Sequence, residues 1–408
     1  MASLLLLFVL SAPRINFMST QLVPIGEAEW ARKKLLPPFT KKTGIEVVFI
    51  GVDYGELASR VMAESDAGKG SIALISGLHS DLVDLYPYLY DLTPILNSLK
   101  GRRFSPAILS LGRINGIQAY IPWTQGSYLL VINKKALRYL PPDVDVWNLT
   151  YADLLAWLKE IHDATGRRPF GLPAGPRGLI HRFIHGYLYP SFTGYQVKRF
   201  ESPEAVRMWQ FFKELWRYTN PSSPIWDGLD TPLLSEEAWI GWDHSARLKP
   251  AIVERPEDFI LVPAPRGPKG RGVILVLAGL AIPKSSPDKE SAARLIEYLT
   301  RPDVQIKILE GVGFLPVIKE ADQHLGQGPM KIITTGINGQ MGCGDIKIAT
   351  IPKGLGPRSG EFIRIYREAF REIVIKNRPI GSVLERKGKE LRRLFSETDA
   401  PLPAPDHN

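Results

Sequence analysis

Apolar residues along this chain recur with two periods. Residues 71–76, Ser-Ile-Ala-Leu-Ile-Ser, hold a short unbroken apolar run, as strands buried in parallel sheets do. Residues 45–50, Ile-Glu-Val-Val-Phe-Ile, are β-branched and predict a second strand, and residues 14–19 predict a first. Between them the period lengthens to that of a helix. A helix is expected from residue 27 to about 39, closed by Thr43-Gly44, and another over 55–68, where Leu57, Val61 and Met62 share a face and Gly68 stops it. Strand and helix in alternation predict a parallel α/β sheet.

Further on, Thr150 can cap a helix whose Leu154, Leu155, Leu158 and Ile161 form one face, with Gly166 ending it. Ser202-Pro203-Glu204 combines an N-cap, a first-turn proline and a first-turn acid. Ala205, Met208, Trp209, Phe212, Leu215 and Trp216 follow at helical spacing, so these tryptophans read as core. Residues 117–121 and 128–132 predict strands, and Pro122-Trp123-Thr124-Gln125-Gly126-Ser127 between them predicts an irregular crossing between two parts of the molecule. Residues 273–282 read as one long apolar strand, 311–316 as a turn, 361–375 and 380–395 as amphipathic helices, and 401–408 as a frayed tail.

Composition narrows the class. With 408 residues, 44% of them apolar, the chain is globular and exceeds one ordinary core. Its 51 basic and 42 acidic residues give a net charge of +9. The basic residues are scattered in pairs such as Lys41-Lys42 and Arg392-Arg393, without a long run or a nucleic-acid motif, so no nucleic-acid partner is expected. The single cysteine, Cys343, excludes an internal disulfide and a cysteine-cluster metal site. Residues 1–14 are expected to be an export segment, since the apolar run ending at Ala12 has signal-peptide length and is too short to span a bilayer.

Candidate chemistry gathers in Ser235-Glu-Glu-Ala-Trp-Ile-Gly-Trp-Asp-His-Ser-Ala-Arg247. Residues 238–241 predict a short buried strand opening into a loop that presents Trp242, Asp243 and His244 together. A flat apolar face beside hydrogen-bonding groups suits a sugar, which has CH faces and a rim of hydroxyls. A core tryptophan beside a solvated turn is the other reading, and both stand. In a parallel sheet ligands sit at the carboxyl ends of strands, where Gln21, Glu27, His79, Ser80 and Asp81 fall. Arg177, in the Pro- and Gly-rich loop 173–179, is either a ligand donor or plain surface. His181 and His185 stand four apart, but without a third ligand they favour a structural role over a metal. No nucleophile elbow, phosphate loop or zinc-binding helix is present. A carboxylate pair for glycoside hydrolysis, Asp243 with Glu27 or Asp81, stays open as an alternative.

The order and spacing of several segments resemble a known family. They are Ser19-Thr-Gln-Leu22, Thr43-Gly44-Ile45, Gly77-Leu-His-Ser-Asp81, Val131-Ile-Asn-Lys-Lys135, Leu172-Pro-Ala-Gly-Pro176, Trp239-Ile-Gly-Trp-Asp-His244, Ala278-Gly-Leu-Ala-Ile-Pro-Lys284 and Leu295-Ile-Glu-Tyr-Leu299. Over residues 15–395 the chain is similar to the extracytoplasmic solute-binding proteins of ABC sugar importers, the maltose-binding-protein-like group. The resemblance implies an α/β, two-lobed periplasmic-binding-protein-like fold of class II, with a ligand cleft between the lobes. It implies crossings near 124–127, 275–277 and 313–316. One lobe would hold residues 15–124 and 277–314, the other 128–274 and 317–395, leaving 396–408 as a tail. Carried over by position, Gln21, Glu27, His79 and Asp81 would come from the first lobe, Trp123 and Gln125 from the crossing, and Arg177, Trp242, Asp243 and His244 from the second. A mono- or oligosaccharide and a membrane permease are the implied partners, with a monomeric, extracytoplasmic protein that needs no cofactor and no metal and does no chemistry. Within the binding class an anion, a metal or a polyamine is the rival ligand; tryptophans at loop positions favour sugar over anion.

Overall fold

The computed structural model describes residues 13–398 except 322–324, 326, 351 and 353, together with residues 400, 402 and 406. Most of the expected export segment, residues 1–12, lies outside the described residues, and Arg14 already belongs to the first strand. Strands β1 (Arg14–Ser19), β2 (Glu46–Gly51) and β3 (Ile72–Leu78) run parallel, as their sequence predicts. The helix Tyr54–Asp66 lies between β2 and β3, with Leu57 and Val61 buried. Strand β4 (Ile121–Gly126) and strand β5 (Tyr128–Asn133) follow each other with Ser127 alone between them. Residues 122–126 are therefore strand, with one register shift at Trp123 against Val276–Ala281, and not the open link expected. The backbone stays extended because both strands are hydrogen-bonded to neighbours on either side of that shift.

Strands β6 (Phe170–Gly171), β7 (Ile240–His244) and β8 (Phe259–Val262) follow. The apolar run 273–282, expected as one strand, is two: β9 (Arg271–Ile274) and β10 (Val276–Ala281), with Leu275 between them. Strand β11 (Ile346–Ala349) pairs with β9 in parallel. The lobes follow from the pairing. One sheet has the order β2-β1-β3-β10-β4, with β10 antiparallel to both neighbours. The other has the order β8-β5-β7-β6. The chain thus changes sheet between β4 and β5 through Ser127, and the β9–β11 pair is joined to the first sheet through Leu275.

Each sheet builds its own core. Phe17, Leu74, Trp123, Leu280, Leu295 and Ile296 are buried around the first. Tyr128, Trp157, Tyr187, Trp209, Trp242 and Tyr366 are buried in the second. Local signals fix the helices that cover them. Thr150 and Asp153 form a reciprocal capping box on Tyr151–Thr165, and Gly166 ends that helix at φ 70°. Ser202 Oγ accepts from Ala205 N at the head of Pro203–Arg217. Residues 317–321 pack against Phe104, Ile108, Leu111 and Leu277 on the first lobe, and Lys319 N donates to Arg103 O. Leu309 and Leu315 already pack with Leu129 and Leu261 of the second sheet, and Leu325 and the helix Gly328–Met341 join them. The final helix runs to Thr398, beyond the expected 395. Much of the expected frayed tail, 401–408, lies outside the described residues. Asp406 is buried, and its carboxylate accepts from Gln196 N at 3.1 Å and from Val197 N.

Trp209 tests the reading of the long helix as core. It is fully buried and its Nε1 donates to Tyr189 Oη at 3.0 Å. Trp209→Ala is expected to destabilise by about 3–5 kcal/mol, measured by chemical denaturation. A loss below about 0.5 kcal/mol, the range of surface substitutions, would contradict the packing described.

Candidate cleft between the lobes

Parallel strands β1 and β3 end side by side, with Thr20 N donating to Ser76 O at 2.9 Å. Their exits carry the polar residues of the first lobe. Ser19 Oγ accepts from Gln21 N at 2.9 Å, and Gln21 Nε2 donates to Thr20 Oγ1 at 3.1 Å. Leu22 next to it holds φ at 58°, a conformation that costs a leucine energy and persists where surroundings impose it. Asp81 sits in the first turn of His79–Asp84. Its carboxylate accepts from Leu78 N at 3.0 Å and Thr20 Oγ1 at 3.3 Å. His79 Nδ1 lies 2.8 Å from Tyr120 Oη.

The first crossing brings these exits to the second lobe. Tyr128, the first residue of β5, pairs with His244, the last of β7. A Cβ on Gly126 would stand 2.7 Å from His244 Nε2, so only glycine lets the crossing lie this close to β7. The His244 ring packs on Tyr128 at 5.0 Å and Phe314 at 5.5 Å, and its Nδ1 accepts from Ala246 N at 3.2 Å.

Here the structure corrects the expected loop. Trp242, Asp243 and His244 are strand residues, and successive side chains of a strand point to opposite faces. Trp242 and His244 therefore share one face and Asp243 takes the other, so the three cannot meet a ligand as one floor. Trp242 is fully buried, stacked on Tyr128 at 4.8 Å and flanked by Phe183 and Tyr187 at 5.0 Å each. It is a core tryptophan. Trp123 is likewise buried, edge-on to Phe17 at 6.0 Å. Gln125 is occupied with the crossing itself: its Nε2 donates to Pro316 O at 2.9 Å, and its backbone pairs with Leu315. Arg177 is exposed; its N donates to Asp227 Oδ1 at 2.8 Å.

Two arginines that sequence reading passed over complete the arrangement. Arg182 Nη1 donates to Tyr128 Oη, with the guanidinium 5.7 Å from the ring centre. Arg247 donates to the carbonyls of Arg177 and Asp227. A signal was present: Arg182 adjoins His181, and Arg247 closes the stretch around Trp242. Three carboxyls respond to this enclosure. Burial pushes Glu27, Asp81 and Asp243 each up to about 7, against partial relief from Arg247 for Glu27 and Asp243 and from Leu78 N for Asp81. Asp243 also accepts from His244 N at 2.7 Å and Leu229 N at 3.1 Å. Burial drives His244 down to about 3, so it is neutral. Charges thus act across the gap, Arg247 on Glu27 and Arg182 on Asp81. His181 and His185 are buried 6.0 Å apart. Among the described residues no group of three His, Cys, Asp or Glu could hold a metal ion, and no helix is long and apolar enough to cross a membrane.

Solved structures share this architecture. T. maritima MalE3, with maltose bound, superposes with a TM-score of 0.74 at 21% identity, over 94% of this chain and 100% of its own. A solute-binding protein of an Agrobacterium vitis S4 ABC transporter, with D-mannitol bound, gives 0.73 at 16% identity over 96% and 100%. UgpB of Mycobacterium tuberculosis, in complex with glycerophosphocholine, gives 0.72 at 19% identity over 95% and 99%. Comparison with curated proteins finds no match. The sequence profile of the bacterial extracellular solute-binding proteins matches residues 34–331. A match over that much of a chain whose two lobes meet at a polar cleft decides the family: this chain belongs to the bacterial extracellular solute-binding proteins.

Proposed function

We propose that the protein captures a carbohydrate between its lobes and delivers it to the permease of an ABC importer, without transforming it. The observation that carries this reading is a set of polar side chains from both lobes close enough to feel one another's charge: Glu27 and Asp81 from one, Arg247 and Arg182 from the other. Similar folds hold maltose and D-mannitol. Hydroxyls can donate to the carboxylates and accept from the guanidiniums, and matched polar contacts give specificity because an unpaired buried group costs ~1–3 kcal/mol. Gln21, His79, Arg177 and His244 complete the proposed ligand shell. Trp123 and Trp242 act from behind it, as packing.

The lobes are proposed to comprise residues 15–124 with 277–321, and 128–274 with about 325–398. A ligand that touches both favours the closed arrangement and shifts the population towards it, which is the form a permease would recognise. Binding without chemistry is preferred over glycoside hydrolysis because Asp243 is buried and committed to two backbone donors. The protein is expected to act as a monomer outside the cytoplasm.

A melting screen over mono- and oligosaccharides tests the reading. A sugar at a hundred times its Kd adds about 2.7 kcal/mol to folding stability, and incubation with the same glycosides should leave them intact. If no carbohydrate raises the melting temperature, or if product appears, the proposal falls.

With the sugar so found, Asp81→Ala is expected to weaken binding by about 1.5–3 kcal/mol, the worth of a hydrogen bond to a charged group, in calorimetric titration. Trp242→Ala is expected to lower stability by about 3–5 kcal/mol. Normal stability in that variant with lost affinity would return Trp242 to the ligand surface.

The raised carboxyls also set a pH dependence. In the folded protein Asp243 keeps its proton up to about 7, whereas its ordinary value is 3.8. The folded state therefore binds more protons than the unfolded chain in this interval, so stability falls as pH rises. The contribution is fully present below the ordinary value and lost as pH passes through about 7. The melting temperature of wild type relative to Asp243→Asn should accordingly fall between about pH 4 and 7. A constant or rising difference would contradict the burial described.

A further inference from the structure

The arginines of the second lobe's cleft wall are held by neutral acceptors. Arg182 donates to the Tyr128 phenol. Arg247 donates to the carbonyls of Arg177 and Asp227, and Arg367 to those of Gly175 and Gly178. Among the described residues none of Arg177, Arg182, Arg247 and Arg367 has a carboxylate oxygen at ion-pair distance. Other arginines are bridged, such as Arg255 to Glu236 and Asp258, Arg358 to Glu361 and Glu397, and Arg364 to Glu368, while Arg32, Arg102 and Arg168 donate to carbonyls at separate places in the fold. Carbonyl and phenol oxygens orient a guanidinium without cancelling its charge, which leaves it able to bind an anion in bidentate fashion.

More donors stand beside these arginines. Ser245 Oγ, two residues before Arg247, is buried without a hydrogen-bond partner, and so is His181 Nδ1, on a side chain 5% exposed next to Arg182. The charges of Arg182 and Arg247 act on His181 and His244 together with burial and keep both imidazoles neutral. A neutral imidazole can donate through one nitrogen. The facing wall is of opposite character, with Glu27 and Asp81. Trp123 and Trp242, whose expected loop positions argued for an uncharged sugar, are buried in strands and offer no stacking face.

We infer that the ligand is a sugar or polyol carrying an anionic group, its hydroxyls turned to Glu27 and Asp81 and its anion to Arg182 and Arg247. This rests on the carbohydrate reading and names the class of carbohydrate. A carboxylate or a phosphate monoester supplies the same chemistry. Arg182 and Arg247 are then the residues that determine specificity, and Arg177, exposed at the mouth, adds charge for approach.

The test is calorimetric titration of the full chain with matched sets: glucose, glucuronate and glucose 6-phosphate; glycerol and glycerol 3-phosphate; and neutral oligosaccharides with their uronic-acid counterparts. At least one anionic member should bind ten times or more tighter than its neutral partner. The better of carboxylate and phosphate identifies the source of the anion. Arg182→Gln and Arg247→Gln should each reduce that preference at least fivefold. Arg182→Lys should retain part of it, and Arg177→Gln, at an exposed position that cannot unfold the lobe, should weaken the anionic ligand alone. Melting curves of every variant separate lost binding from lost folding. Equal or tighter binding of the neutral members overturns this inference and leaves the carbohydrate reading standing. Binding of no member of any set overturns both.

Discussion

The structure depends on a chain that changes sheet with one residue to spare. Ser127 alone separates two strands that belong to different sheets, and Leu275 alone separates another such pair. Because the strands on either side are hydrogen-bonded in their own sheets, the sheets must meet at strand ends at these points. Gln125 and Leu315 pair beside the first crossing and tie the third segment to it. The exits of β1 and β3 and the end of β7 are thereby held opposite each other. A side chain at Gly126 would collide with His244, so even the local sequence at the crossing is set by the closeness of the lobes.

That closeness is what gives the polar residues their chemistry. In open water Glu27, Asp81 and Asp243 would be ordinary carboxylates. Buried in the fold, they are desolvated and each is pushed up to about 7. The same enclosure makes the guanidiniums of Arg182 and Arg247 strong hydrogen-bond donors, since charge is less screened away from water. A polyhydroxylated ligand replaces the lost hydration on both sides. Differential contact with the two lobes, rather than any bond made or broken, is how such a protein does its work.

Much of the fold was legible in the residues. The parallel strands 14–19, 45–50 and 71–76 and the capped helices after Thr150 and Ser202 appear within a residue or two of where their patterns put them. The crossings were legible in place but not in form. Pro122 and Gly126 read as breaks, yet pairing with Val276–Ala281 keeps residues 121–126 extended. The Trp242 stretch was misread by a shift of register. Started two residues later than expected, the strand captures Trp242, Asp243 and His244 and parts them between two faces. Local sequence could not reveal this, because the register is set by Tyr128–Asn133 across the ladder. Arg182 and Arg247 escaped for a similar reason. An arginine beside a histidine or in a helix is unremarkable until the fold brings it opposite Asp81 or Glu27.

The account's central claim is that a carbohydrate lies between the lobes, held by side chains of both. A crystal structure of the protein with the sugar selected by the melting screen tests it most directly. The ligand is expected within hydrogen-bond distance of Asp81 or Glu27 on one lobe and of Arg182 or Arg247 on the other, with Trp242 still stacked on Tyr128. A sugar bound to one lobe only, or away from these residues, would contradict it.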